Sequence, residues 1–299
     1  MTYSVVARDK KTGEMGVAVQ SHYFSVGSIV TWARAGVGAV ATQAFSDVKY
    51  GPLGLELMAA GKTAPEALTS LLTSDDKAEM RQVAMIDSKG RVAGHTGGKC
   101  IPYAGHVIGD QFSCQGNLMK NERVWLDMRD AFARNSDLPL PERLVSALEA
   151  GEAAGGDARG KQSSAILVVS PEVTANSWSG VVVELRVEDN PEPVVELKRL
   201  LRYQRGYDWI GKGDDLISAR KYNEAVEAYS RGMDLVPEVS ELKYWVGISL
   251  VATAEERQRG VAMLRELLAR EPNWKQITKG IVAVRMLPID EKTLGELTS

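Results

Sequence analysis

The chain has 299 residues, 44% apolar and 25% charged, a composition that suits a folded protein of one large domain or two small ones. Its 36 Lys and Arg against 39 Asp and Glu give a formal charge of −3, which argues against nucleic acid or an anionic membrane as a main partner. The first residues lack the basic flank and apolar core of a secretory signal, and no apolar run reaches the roughly 18 residues of a membrane span, so a cytoplasmic protein is expected.

Up to about residue 190 the pattern is one of short β-branched runs. Tyr3–Ala7 and Gly16–Gln20 read as a hairpin across the turn Asp9-Lys10-Lys11-Thr12-Gly13. Ser28–Trp32 and Val37–Gln43 read as a second hairpin across Arg34-Ala35-Gly36. A helix then starts at Pro52 and stops at Gly61, and Thr63 caps another that reaches about Leu72, with Glu66 completing a capping box. Gln82–Asp87 and Arg91–His95 form a further hairpin, and short edge strands are expected near Val107-Ile108 and Phe112-Ser113-Cys114. Helices over Met119–Arg134 and Pro141–Glu152 precede the strands Ala165–Val169 and Val181–Val187. The order ββββ, αα, ββ, αα, ββ predicts an α+β fold of antiparallel sheet covered by helix pairs.

Strands stop at Pro191-Glu192-Pro193. Beyond them Trp209, Gly213, Leu216, Tyr222, Ala225, Tyr229, Gly232 and Pro237 fit the tetratricopeptide pattern, and Val246-Gly247, Leu250, Gly260, Leu264 and Pro272 give a weaker second copy. Gly213 and Gly247 lie 34 residues apart. The expected domains are 1–200 and 201–299, the second all-α, with Trp274–Leu287 as a cap.

Two glycine-rich strings fail on context. Gly36–Ala41 matches the dinucleotide fingerprint, but its glycines open a strand and no helix follows directly. Gly155–Gln162 resembles a phosphate loop, but Gln162 stands where Ser or Thr should bind magnesium and the loop follows a helix. Within it Asp157 and Arg159 read as an ion pair or as substrate contacts. Three histidines (His22, His95, His106) and two cysteines (Cys100, Cys114) are too scattered for a metal site, so no metal or cofactor is expected. Cys100 and Cys114 are read as buried thiols facing each other across short strands.

Thr2 is the sharpest feature. Methionine before a small residue is commonly removed, and a terminal Thr carries its own base, since an α-amine with a pKa near ~8 can accept the hydroxyl proton. That chemistry suits a chain poor in histidine. His22, in the loop Ser21-His22-Tyr23-Phe24-Ser25, is the histidine best placed by sequence, and Ser21 or Ser25 acting with it is a lesser alternative.

Residues 1–190 resemble the family known as domain of unknown function 1028. The resemblance is carried by Tyr3–Asp9, Thr12–Val19, Gly36–Gln43, Tyr50-Gly51, Cys114-Gln115-Gly116-Asn117 and Gly155–Gly160. It implies a four-layer αββα sandwich like that of N-terminal nucleophile hydrolases, with Thr2 matching the nucleophile. Backbone amides in Gln43-Ala44-Phe45-Ser46 are then expected to hold the oxyanion. The lysine that proteasome-like members carry on their third strand has no counterpart in Ile29–Ala33, which leaves His22 as its replacement. The expected activity is hydrolysis of a small amide or peptide-like substrate, with Gln43, Asn117, Asp157 and Arg159 orienting it. The alternative is a non-catalytic scaffold whose helical tail binds a peptide or protein partner. A homodimer or larger homo-oligomer is expected by analogy.

Overall fold

Each strand pairs antiparallel with its neighbour in sequence, so the first unit is built from five hairpins. The computed structural model describes residues 2–176, 179–252, 256–284 and 289–298. The strands are β1 (Thr2–Arg8), β2 (Met15–Ser21), β3 (Thr31–Arg34), β4 (Gly38–Ala44), β5 (Arg81–Asp87), β6 (Val92–Thr96), β7 (Gly105–Gly109), β8 (Phe112–Asn117), β9 (Ser163–Val169) and β10 (Val181–Val187). The turns are closed by the chemistry their sequences announce. Asp9 Oδ1 accepts from the amides of Lys11 and Thr12, and Gly13 supplies the left-handed residue at φ +78°. Asp87 does the same for Lys89 and Arg91 around Gly90.

The hairpins assemble into two sheets, one ordered β10-β9-β2-β1-β8-β7 and one β3-β4-β5-β6. Alternation along each strand decides what each face meets. Tyr3, Val5, Ala18, Ile166 and Val168 pack under helices α4 (Arg123–Arg134) and α5 (Leu140–Ala153) and the first turns of α6 (Pro193–Ser218). Val40, Val83 and Met85 pack under α2 (Tyr50–Ala59) and α3 (Ala64–Thr73). Between the sheets Val6, Val17, Val19 and Ala165 meet Ala39, Ala41, Ala84 and Ile86.

Local signals hold where capping chemistry is strong. Thr63 accepts from the Glu66 amide at 3.2 Å while Glu66 accepts from the Thr63 amide at 2.8 Å, which is the expected capping box. Three expectations need correction. Residues Gly27–Val30 form a short helix, α1, and β3 begins only at Thr31. There the Ser28 hydroxyl donates to the Ser25 carbonyl and the Thr31 hydroxyl to that of Gly27, local bonds that favour a turn over a strand. Helix α4 starts at Arg123 instead of Met119, because Met119 bridges to Asp157 and Lys120 donates to the Gly156 carbonyl. Finally, β8 is no edge strand: it runs to Asn117 and lies between β1 and β7.

One compact unit runs through Leu201 and the second from Arg202 onward. Within the second, α6 is followed by α7 (Tyr222–Leu235), α8 (Ser240–Ala252), α9 (Arg257–Arg270), α10 (Asn273–Ala283) and α11 (Glu291–Thr298). Gly213 lets Tyr229 approach, since a Cβ there would lie 2.3 Å from its ring, and Gly247 admits Leu264 in the same way at 2.7 Å. These two glycines stand 34 residues apart. The expected cap at Trp274–Leu287 falls partly outside the described residues. No described helix is long and apolar enough to cross a membrane.

Candidate functional site

The space between the two sheets has an apolar half and a polar half. The polar half collects the inward-facing residues at one end of the strands: Thr2 and Ser4 on β1, Ser21 on β2, Gln43 on β4, Gln82 on β5, and Gln115 and Asn117 on β8. All are buried, so each polar group needs a partner.

Thr2 opens β1, with Ser21 across from it on one side and Asn117 on the other. Its hydroxyl donates to Ser21 Oγ at 3.0 Å. Its carbonyl accepts from Gln43 Nε2 at 3.1 Å and from Asn117 Nδ2 at 3.3 Å. Both amides donate their second N–H to Gln82 Oε1, at 2.7 and 2.8 Å. Gln82 Nε2 in turn donates to Gly116 O at 2.8 Å and to Gly105 O and Thr96 Oγ1 at 3.0 Å. Ser4 ties the network inward, donating to Gln43 Oε1 and accepting from Gln115 Nε2, both at 2.7 Å. Every amide here is held on two sides, so the residue at the start of β1 sits on a rigid polar platform.

The residues following the two amides are strained. Ala44 has φ +70° and Leu118 φ +54°, a region that side-chain-bearing residues rarely occupy. Beside them opens a cavity of about 120 Å³ lined by Ala44, Phe45, Met80 and Ile101, by Lys99 and Cys100, and by Asn117. Asn117 therefore belongs both to the cavity wall and to the Thr2 carbonyl. Burial pushes the Cys100 thiol above its usual range, and its Sγ donates to the Arg81 carbonyl at 3.3 Å.

Of the residues singled out from sequence, Thr2, Gln43, Ala44 and Asn117 come together. The others form a neighbouring cluster. The His22 amide donates to Asp157 Oδ2 at 3.1 Å, and its exposed ring places Nδ1 3.2 Å from the Lys161 carbonyl, with no hydrogen bond to Thr2 among the described residues. Buried Asp157 also accepts from the Arg159 amide, Nε and Nη2 at 2.9, 3.1 and 2.8 Å. This carboxylate fastens its own loop to the end of β2, the ion-pair alternative for these residues. Of the backbone amides expected to hold an oxyanion, that of Phe45 is already donated to Met80 O. Cys100 and Cys114 are both free and do not face each other: Cys114 is buried under α4 and α5, whereas Cys100 lines the cavity. His106 Nδ1 lies 2.9 Å from Thr96 Oγ1, and burial, with a smaller contribution from His95, lowers its pKa. Sequence reasoning missed Gln82 as hub and Ser21 as the hydroxyl partner of Thr2. The available signal was polar residues at every second position, Thr2-Ser4 and Ser113-Gln115-Asn117. Among the described residues no three His, Cys, Asp or Glu side chains are grouped to hold a metal ion.

A family model described as "family of unknown function (DUF1028)" matches residues 2–197, the span that contains both sheets and this site. The chain belongs to the DUF1028 family. This DUF1028 protein is similar to the crystal structure of protein SPO2555 from Silicibacter pomeroyi, which is assigned to the same family. The two share 29% sequence identity with a TM-score of 0.60, and the match covers 67% of this chain and 88% of that one. No functionally curated protein matches it.

Proposed function

We propose that this DUF1028 protein is an amidohydrolase of the N-terminal nucleophile type, with Thr2 as nucleophile once Met1 is removed. Met1 lies outside the described residues. The observation that carries the reading is Thr2 at the head of a central strand, its hydroxyl on Ser21 and its carbonyl fixed by Gln43 and by Asn117, which also lines an open cavity. Two antiparallel sheets packed face to face, with helix pairs on their outer faces, support the sandwich fold of that hydrolase class.

In this scheme the free α-amine of Thr2 takes the Oγ1 proton as Oγ1 attacks the substrate carbonyl. The proton passes to the leaving nitrogen, the C–N bond breaks, and an ester on Thr2 remains. Water, deprotonated by the same amine, hydrolyses the ester and restores Thr2. Asn117 both lines the cavity and holds the Thr2 carbonyl, so it is the side chain that fixes Thr2 against a bound amide. His22 takes no step, because its ring is engaged at Lys161 O.

The test combines the intact mass of the native protein with turnover of small amides. Loss of Met1, an acyl adduct on Thr2 and no turnover by Thr2→Ala support the reading; retained Met1 or an unimpaired Thr2→Ala enzyme refutes it. A second reading, a scaffold whose tetratricopeptide-like tail binds a peptide, is favoured by a cavity of about 250 Å³ lined by Asp214, Ile217, Tyr229, Trp245 and Ile248. Under it, Thr2→Ala leaves partner binding unchanged.

A further inference from the structure

The cavity beside Thr2 carries more information than its position. Its volume of about 120 Å³ is somewhat smaller than the ~150 Å³ of a cavity that admits benzene, so it takes a group of about four or five heavy atoms. Its walls are mostly apolar, through Phe45, Met80, Ile101 and Ala44. One lining residue alone is charged, and it is the cation Lys99. That ammonium has no ion pair among the described residues, whereas the nearby Arg81 is committed to carboxylates. Arg81, behind Phe45, is paired with Asp75 at 2.8 Å and Asp47 at 3.4 Å. Glu79 accepts from the Gly98 amide at 2.9 Å. Cys100, its thiol pushed up by burial, adds no negative charge to the cavity wall.

We infer that the site takes an N-acylated amino acid, with a short apolar side chain in this cavity and a free carboxylate on Lys99. The inference rests on the Thr2 reading for the bond that is cut, but not for the binding. In such a molecule the amide, the side chain and the carboxylate all branch from one carbon. That arrangement matches a cavity whose lining joins Asn117, an apolar wall and one cationic residue, Lys99. Hydrolysis breaks the acyl C–N bond, leaves the acyl group on Thr2 Oγ1 and releases the amino acid with the proton taken from Oγ1.

The probes are N-acetyl-L-leucine and its uncharged analogue N-acetyl-L-leucinamide. Binding is measured by calorimetry on the Thr2→Ala protein, which cannot turn either over, and turnover is measured on the native enzyme. The expected result is that the carboxylate probe binds about tenfold more tightly than the carboxamide, the scale of one charge-assisted hydrogen bond. Lys99→Ala removes that preference and Lys99→Glu reverses it, and circular dichroism of both variants matches the parent, which shows that they fold. Equal binding of the two probes, no binding of either, or a preference that survives Lys99→Glu overturns the inference. Selective binding without turnover by the native enzyme leaves this inference standing and defeats the hydrolase reading. Turnover of other amides with no preference for a carboxylate does the opposite.

Discussion

Gln82 is the position at which the polar platform is most exposed to a single substitution. In Gln82→Met a side chain of similar length replaces the amide, so packing is retained and hydrogen bonding is lost. The second N–H of Gln43 and the second N–H of Asn117 then lose their acceptor and the carbonyl of Gly116 loses one donor, all at buried positions. A buried group left unsatisfied costs ~1–3 kcal/mol, and partial rearrangement of the remaining amides keeps the sum near ~3–5 kcal/mol. For a unit of this size that corresponds to a fall in Tm of roughly 10 °C. Urea denaturation followed by circular dichroism gives the total, and hydrogen exchange of peptides 2–8 and 112–117 localises it to β1 and β8. Gln20 is the internal control. It is as deeply buried, yet neither of its amide atoms has a partner among the described residues, so Gln20→Met is expected to be neutral or to stabilise by up to ~1 kcal/mol. A Gln82→Met midpoint within ~0.5 kcal/mol of the parent, with unchanged protection of both strands, refutes the reasoning.

Two further predictions concern other parts of the molecule. The Arg81 guanidinium holds the buried Asp75 carboxyl well below the usual carboxylate range, so the folded pKa lies under the unfolded one near ~3.9. The stability this adds is complete above that pH and is lost as pH falls below it; urea midpoints between pH 5 and pH 2 should therefore drop more steeply in the parent than in Asp75→Asn, which is itself less stable at pH 7. In the helical unit, Gly213→Ala drives a methyl group against the Tyr229 ring and is expected to cost ~1–3 kcal/mol, read as faster hydrogen exchange in α6 and α7 with the sheets unaffected.

What could be read from the sequence was whatever is decided within a few residues. The Asp9 and Asp87 turns, the Thr63–Glu66 capping box and the stop at Gly61 are all closed by neighbours in the chain, and each stands where its residues put it. Ser28–Trp32 misled because β-branched residues suggest a strand, while Ser28 and Thr31 bond to carbonyls three and four residues back. The same limit applies to the site. Thr2, Gln43 and Asn117 could be marked one by one, but their meeting depends on which strand face looks into the second sheet. Gln82 is an ordinary strand glutamine until five partners from four separate segments converge on it. His22 has a conspicuous sequence neighbourhood, yet the loop at Asp157 draws it aside.

The position of β1 between β2 and β8 also sets an order of events. Its partnership with β2 closes across a short turn, but Asn117 stands 115 residues after Thr2 in the chain. At translation rates of 5–20 residues per second, β1 waits roughly 6 to 23 s before its second neighbour is even synthesised. Throughout that interval one edge of β1 is open. Thr2 therefore lacks both its second strand neighbour and the full clasp on its carbonyl until β8 is made, so this stretch of β1 stays open while the second sheet is synthesised.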